Sequence, residues 1–96
     1  MPSRTASNTY FVYVLLSLKD GKFYIGFTNN LEKRLKQHFQ GKNFSTKPRL
    51  PLKLIYYEAC GSKKDTKRRE KYFKSTIGRR FLKVRLRAYL SSLQKW

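Results

Sequence analysis

Five side chains in this sequence carry the chemical groups that hydrolysis of a phosphodiester requires. They are two phenols, a guanidinium, an imidazole and a carboxylate, supplied by Tyr13, Tyr24, Arg34, His38 and Glu70. A carboxylate can hold a hard cation such as Mg²⁺, a guanidinium offsets the charge that develops on a phosphate, and phenols or imidazoles move protons. Each side chain also has an ordinary structural alternative, so its position in the fold matters as much as its type.

Glu70 differs from the other acidic residues in its position on a helix. The sequence has five acidic residues against 23 lysines and arginines. Four of them have ordinary roles in a turn, near a helix terminus or in a strand: Asp20, Glu32, Glu58 and Asp65. Glu70 shares a helical stripe with Phe73 and Ile77, which is expected to turn its carboxylate toward the core. There it is either the ion-pair partner of a neighbouring Arg or Lys, or the ligand of a cation.

The two tyrosines are expected on one face of a β-hairpin. A two-residue turn at Asp20-Gly21 places Tyr13 opposite Thr28, and the same register puts Tyr24 on the same face. Gly26 lies between the two phenols there, and its missing side chain leaves space into which both can lean. The structural alternative is ordinary core packing of two aromatic rings.

Arg34 and His38 are expected one turn apart on the helix that follows the hairpin. His38 falls within the apolar stripe of that helix and Arg34 at its edge, so both point toward the sheet. Arg34 can instead pair with a carboxylate, and a histidine on an apolar stripe can instead be a satisfied core residue.

The elements that must position these residues predict an α+β domain. The run 10–17 is apolar without alternation, as expected of a central strand, and strands at 22–27 and 52–60 complete a sheet. A helix capped by Asn29 or Asn30 begins at Leu31 and ends before Gly41. A second helix, capped by Ser62 or Asp65, runs to about residue 76, and Gly78 separates it from a last helix. The prediction is a three-stranded, mainly antiparallel sheet flanked by helices, in the order β-β-α-β-α-α.

Charge and composition point to a polyanionic partner. The 96 residues suit one domain at 10–96 after a flexible segment at 1–9, and their net charge of +18 favours nucleic acid. The longest apolar run, 10–16, is too short to span a bilayer. Cys60 has no disulfide partner and is expected to be a buried thiol, so we expect an intracellular, cytoplasmic protein.

Two basic stretches are expected to contact the phosphate backbone rather than to read bases. One lies in the loop after the first helix and one in the last helix, and together they supply Lys42, Lys47, Arg49, Arg79, Arg80, Lys83 and Arg87. The alternative is a solvated helix face. Since no module for reading base edges is visible, we expect low sequence specificity or recognition of a DNA shape such as a branch or flap.

These residues, taken in order, resemble the GIY-YIG nuclease superfamily. The likeness spans residues 10 to about 90 and is strongest to small stand-alone bacterial members, similar also to the nuclease domains of excision-repair and homing endonucleases. The matching motifs are Phe11-Val12-Tyr13, Tyr24-Ile25-Gly26, Asn30, Arg34, His38 and Glu70. The first motif has Phe-Val where the family name has Gly-Ile, but it keeps the tyrosine.

The resemblance implies a divalent-metal-dependent endonuclease that acts on DNA in the nucleoid. It assigns Tyr13 and Tyr24 to handling water, Arg34 to binding phosphate, His38 to proton transfer or positioning, and Glu70 to holding Mg²⁺ or Mn²⁺. Which tyrosine takes the proton stays open, since a phenol needs either a depressed pKa or a relay to His38. Gly26 and Asn30 are assigned structural roles, and no membrane or obligate protein partner is expected. The alternatives are a basic RNA-binding protein and an inactive, DNA-binding relative.

Overall fold

The computed structural model describes residues 8–93, so most of the segment 1–9 lies outside the described residues. Its sheet has three antiparallel strands in the spatial order β2-β1-β3, which confirms the predicted fold class. The strands are β1 (Tyr10–Ser17), β2 (Phe23–Thr28) and β3 (Leu52–Cys60). β1 lies in the centre, as its continuous apolar sequence predicts, because both of its faces are covered.

The helices follow the predicted order, with the last helical stretch broken in two. They are α1 (Leu31–Phe39), α2 (Lys63–Lys74), α3 (Thr76–Arg85) and α4 (Arg87–Ser92), and a short 3₁₀ turn at Lys47–Arg49 precedes β3. Asn30 caps α1 by accepting a hydrogen bond from the backbone N–H of Lys33 at 3.1 Å. Ser62 caps α2 by accepting from the N–H of Asp65, so the serine, not the aspartate, is the cap.

Gly78 does not separate two helices, as the sequence predicted, but lies buried inside α3. The helix break is at Ser75, whose hydroxyl accepts from the N–H of Gly78 at 3.0 Å and so caps α3. A side chain at Gly78 would place a Cβ atom 1.9 Å from the carbonyl oxygen of Tyr72. The glycine is therefore needed because the start of α3 packs against the end of α2.

The predicted hairpin register is wrong by two residues. Tyr13 lies opposite Gly26 rather than Thr28, and Leu15 lies opposite Tyr24. Because side chains alternate along a strand, a shift of two leaves every side chain on its predicted face. Tyr13 and Tyr24 therefore still share one face of the sheet.

The hairpin loop explains the shift, because it is longer than the predicted two-residue turn. The N–H of Ser17 donates to the carbonyl of Lys22 at 3.0 Å, so the loop runs from Leu18 to Gly21. The Ser17 hydroxyl accepts from the backbone N–H groups of Lys19 and Asp20, each at 3.2 Å. Gly21 has φ +72°, but no residue other than glycine has a positive φ between residues 8 and 93, so Asp20 does not take part in the expected turn type.

The sheet separates two apolar clusters. One face of β1 packs with α2 and α3 around Val12, Val14, Phe73 and Leu82. The opposite face, which carries Tyr13, packs against α1 through Leu31 and Leu35. The helix α1 therefore covers the face on which both tyrosines lie.

Arginine side chains cover the outer edge of the sheet at β2. The carbonyl of Phe27 accepts a hydrogen bond from Arg34 at 3.4 Å. The carbonyl of Phe23 accepts from Arg49 at 3.4 Å and from Arg79 at 3.5 Å.

No helix between residues 8 and 93 combines the length and apolar character needed to cross a bilayer.

Candidate active site

A buried chain of hydrogen bonds lies between the sheet and α1. The Tyr13 hydroxyl is 2.8 Å from Nε2 of His38, and Nδ1 of His38 is 2.8 Å from Oγ1 of Thr46. All three side chains are completely buried. The predicted meeting of a tyrosine with His38 is thus found, while Thr46 is a member of the site that the sequence did not indicate.

Gly26 leaves the space that the Tyr13 phenol occupies. A Cβ atom at Gly26 would lie 2.5 Å from the Tyr13 hydroxyl oxygen, so any side chain there would displace the phenol. Tyr24 is half-buried, and the centre of its ring lies 5.2 Å from that of His38 and 6.4 Å from that of Tyr13. The two phenols and the imidazole therefore form one aromatic group, of which Tyr24 is the member open to solvent.

Arg34 lies at the edge of this group. Its side chain is half-buried, and its charge acts on both Tyr13 and His38. The ion pairs found between residues 8 and 93 join carboxylates to Arg49, Arg68, Arg69 and Lys74, and Arg34 is not among these. This places a cation beside the tyrosines without assigning it to a carboxylate.

Burial keeps both ends of the Tyr13–His38 pair uncharged at neutral pH. It raises the pKa of the Tyr13 phenol to about 12, although the nearby Arg34 guanidinium acts in the opposite direction. Burial also lowers the pKa of the His38 imidazole to about 4, and the Arg34 charge adds to this shift. Arg34 thus acts on Tyr13 in the direction that the sequence suggested, but burial has the larger effect.

A neutral imidazole donates through one nitrogen and accepts through the other, which links the two hydrogen bonds of His38. If Nδ1 carries the proton and donates to Thr46, Nε2 accepts from the Tyr13 hydroxyl. In the other tautomer, Thr46 donates to Nδ1 and Nε2 donates to the phenol. Thr46 therefore takes part in deciding the direction of the hydrogen bond at Tyr13.

The low pKa of His38 predicts a loss of stability in mild acid. The unfolded chain takes up a proton at its ordinary pKa of 6.5, whereas the folded chain does so only near 4. The contribution of neutral His38 to the free energy of unfolding is therefore fully present above about pH 6.5. It should fall by about 3 kcal/mol as the pH drops from 6.5 to 4. Denaturant unfolding at several pH values measures this loss, and a His38→Gln variant should lack it. The chain has one histidine, so NMR of its ring gives the pKa directly, and a midpoint near 6.5 would contradict the prediction.

Glu70 lies on α2 near this group. Its carboxylate is mostly covered, with 18% of the side chain exposed, and it pairs with Lys74 at 3.2 Å. Its charge contributes to the raised pKa of Tyr13, which places it within electrostatic range of the phenol. Phe73 is buried as predicted, but Ile77 is 67% exposed because α2 ends at Lys74 and the predicted stripe does not continue.

A lone carboxylate is a suitable anchor for Mg²⁺. The described residues contain no group of three or more His, Cys, Asp or Glu side chains arranged to hold a metal. Mg²⁺ keeps several waters and is commonly bound through one or two carboxylates together with substrate phosphates. Glu70 fits that mode of binding, since its side chain is partly exposed and its charge acts on Tyr13.

Several basic residues meet at the hairpin loop. Arg49, Arg79 and Lys83 line a cleft of about 600 Å³ together with Asp20 and Lys22. Arg87 begins α4 and borders the adjoining groove with Lys83, so these two residues face one groove from different helices. The remaining predicted phosphate contacts are exposed and do not line this cleft: Lys42, Lys47 and Arg80.

Arg49 has a structural role in addition to its charge. Its guanidinium pairs with Asp20 at 3.1 Å and donates to the carbonyl of Lys22 at 3.2 Å.

Glu58 is likewise paired, through two hydrogen bonds from Arg69 at 2.9 and 3.0 Å. Burial would raise the pKa of Glu58, but the hydrogen bonds from Arg69 and Tyr56 lower it overall. Cys60 is half-buried rather than fully buried.

The chain is similar to one family of domains and to several bacterial proteins. A family model described as the GIY-YIG catalytic domain matches residues 9–85. A UPF0213 protein of Bacillus licheniformis is 48% identical over 69 residues, covering 71% of this chain and 70% of that protein. The UPF0213 protein YazA of Bacillus subtilis is 42% identical over 69 residues, covering 71% and 69%. The solution NMR structure of a UPF0213 protein from Bacillus halodurans is 32% identical, with a TM-score of 0.45, covering 90% of this chain and 85% of that one.

Proposed function

The chain belongs to the GIY-YIG family of catalytic domains, and from this premise we propose that it is a divalent-metal-dependent endonuclease that hydrolyses DNA. The observation that carries the proposal is the arrangement of Tyr13, Tyr24, His38 and Arg34 around one point of the sheet, with Glu70 within electrostatic range. The charge of +18 supports a polyanionic substrate, and we place the protein with DNA in the cytoplasm.

In this proposal, Tyr13 passes a proton from the attacking water to His38. The pKa of Tyr13 is about 12, so forming its phenolate at pH 7 costs about 7 kcal/mol. The pKa of His38 is about 4, so protonating its imidazole at pH 7 costs about 4 kcal/mol. The cheaper route has the phenol oxygen take a proton from water while the phenol proton moves to Nε2, 2.8 Å away. Because the Tyr13 side chain is completely buried, the attacking water reaches its hydroxyl from the side of Tyr24, which is open to solvent and holds the water in place.

Arg34 and Glu70 act on the phosphate in this scheme. The Arg34 guanidinium binds non-bridging oxygens and offsets the negative charge that grows as water attacks. Glu70 would hold Mg²⁺ or Mn²⁺, which supplies a Lewis acid for the phosphate and the leaving oxygen when bound. Lys74 must then give up its ion pair with Glu70, which costs little because Lys74 is 54% exposed.

A cleavage assay with purified protein tests the proposal. Linear, nicked and branched DNA are incubated with Mg²⁺, with Mn²⁺ and with a chelator, and strand scission is expected only with metal. Binding of these DNAs without scission under every metal condition would contradict an endonuclease and favour a non-catalytic nucleic-acid-binding protein. Scission that persists in chelator would contradict the metal requirement.

The relay requires Nδ1 of His38 to donate to Thr46, so Thr46 should act as a positioning residue. Thr46→Val removes the hydroxyl and leaves Nδ1 of His38 buried without a partner in either tautomer, at a cost of roughly 1–3 kcal/mol in stability. It should also lower kcat roughly tenfold, with KM little changed, because the productive tautomer is lost. Thr46→Ser keeps the hydroxyl and should restore kcat. A serine variant as slow as the valine variant would remove Thr46 from the relay.

A further inference from the structure

An aromatic side chain stands in solvent on the loop that contributes Thr46 to the site. Phe44 is 94% exposed, the most exposed of the large apolar side chains between residues 8 and 93. Leu18, Ile77 and Val84 follow at 56%, 67% and 65%. A phenyl ring held in water contributes no apolar burial to the fold, and its faces are free to receive a flat ring from outside the chain.

The backbone around Phe44 is held in a closed turn. The side-chain oxygen of Asn43 accepts from the N–H of Ser45 at 3.1 Å and from its hydroxyl at 2.7 Å. The carbonyl of Asn43 accepts from the N–H groups of Thr46 and Lys47 at 3.2 and 2.9 Å. Phe44 is thus presented at the crest of a hydrogen-bonded turn.

This turn is fixed relative to the candidate active site. Thr46 binds His38 and is completely buried, although it lies only two residues from Phe44. Two residues span at most about 7 Å between Cα atoms. The exposed ring therefore lies within a few nucleotides of any phosphodiester held at Tyr13 and Arg34.

The charges around the ring favour nucleic acid as the partner. Lys42 and Lys47 lie on either side of it in the sequence and are exposed, and the segment 41–51 contains no acidic residue. Cations that track a phosphate backbone combined with an aromatic ring that stacks on a base are the usual means of holding single-stranded nucleic acid. In an intact duplex the faces of the bases are stacked on one another and cannot receive the ring.

We infer that Phe44 stacks on an unpaired base next to the phosphodiester to be cut, and that the substrates are DNAs with a single-stranded or branched segment at that point. The position of the cut rests on the proposed function. The stacking contact does not, because it requires only binding. An aromatic ring in this place selects DNA by the availability of a base face and is indifferent to which base it is.

Binding in chelator tests the contact separately from cleavage. Two DNAs of the same sequence are compared, a full duplex and a duplex with a short single-stranded flap carrying 2-aminopurine at the junction. The variants are Phe44→Ala and Phe44→Trp, with Ile77→Ala as the matched control because Ile77 is also an exposed apolar side chain beside cations. Affinity and 2-aminopurine fluorescence are measured for each.

Phe44→Ala should weaken binding of the flapped DNA about five- to a hundredfold, the size of one base–aromatic stack, and change duplex affinity by less than about twofold. It should also remove the fluorescence change, whereas Phe44→Trp keeps both and Ile77→Ala alters neither. Equal losses on the two DNAs, or no loss on either, would overturn the inference. Unchanged DNA binding is also the result expected if the ring serves a protein partner.

The same experiment separates this inference from the proposed function. Protein that prefers the flapped DNA through Phe44 but never cuts it would refute the nuclease and leave the stacking contact standing. Protein that cuts both DNAs in Mg²⁺ at rates independent of Phe44 would refute the inference and leave the nuclease standing.

Discussion

Replacing Glu70 by glutamine should reduce DNA cleavage by on the order of a thousandfold or more, while DNA affinity holds or rises slightly. The glutamine keeps the size of the side chain but removes the charge that would hold the divalent cation. It also removes one negative charge from a basic protein, which accounts for the small gain in affinity. Cleavage rates at saturating protein, measured across Mg²⁺ concentrations, check the loss.

The structure offers a close control for this variant. Asp65→Asn removes one negative charge from the same helix, where Asp65 is exposed and paired with Arg68. It should leave the cleavage rate within about twofold, since exposed pairs contribute little. Loss of the Glu70–Lys74 pair should likewise cost less than about 0.5 kcal/mol, so a stability change does not explain a dead variant. Parental cleavage by Glu70→Gln at low Mg²⁺ would exclude Glu70 from the site.

Arg34→Ala should lose on the order of a hundredfold or more in cleavage rate while the fold is preserved. The guanidinium has no carboxylate among the described ion pairs, and its hydrogen bond to Phe27 is long at 3.4 Å. Its removal therefore leaves no buried charge unpaired, and the variant should melt within a few degrees of the parent. The pKa of His38 should rise as well, because the Arg34 charge contributes to its depression.

Two further variants give this experiment its contrast. Arg34→Lys should recover little activity, since a point charge does not reproduce the planar fork that binds two phosphate oxygens. Lys36→Ala removes an exposed charge from the same helix and should alter only the salt dependence of binding. Unfolding of Arg34→Ala, or parental cleavage once binding is saturated, would show that Arg34 is structural.

The hairpin shows why the face of the sheet on which a side chain lies is easier to predict than the residue opposite it on the next strand. Alternation along β1 and β2 decides which side chains share a face, and this survives the error in register because the shift is even. The register itself depends on the length of the loop, which is closed by hydrogen bonds from the backbone N–H groups of Lys19 and Asp20 to the Ser17 hydroxyl. A serine at a strand end is too common for the sequence to reveal that use.

Contacts that form only in the folded chain account for what the sequence did not predict. Gly78 resembles a helix breaker until its approach to Tyr72 is known, and Ile77 fits the stripe of α2 until the helix ends before it. Thr46 lies in a loop rich in lysine and proline, and only the folded chain brings it to His38. The pKa values of Tyr13 and His38 likewise follow from burial that composition does not show.

The arginines along β2 have a consequence for the behaviour of the protein at high concentration. A bare edge strand is a template for pairing with another chain, which is a route to aggregation. Here the outward carbonyls of Phe23 and Phe27 are already bonded to guanidinium groups. An approaching strand would have to displace these guanidinium groups. Salt screens the long-range repulsion between highly charged molecules, but it acts less on such direct contacts. Addition of a strand at this edge therefore competes with these contacts at low and at high salt concentration.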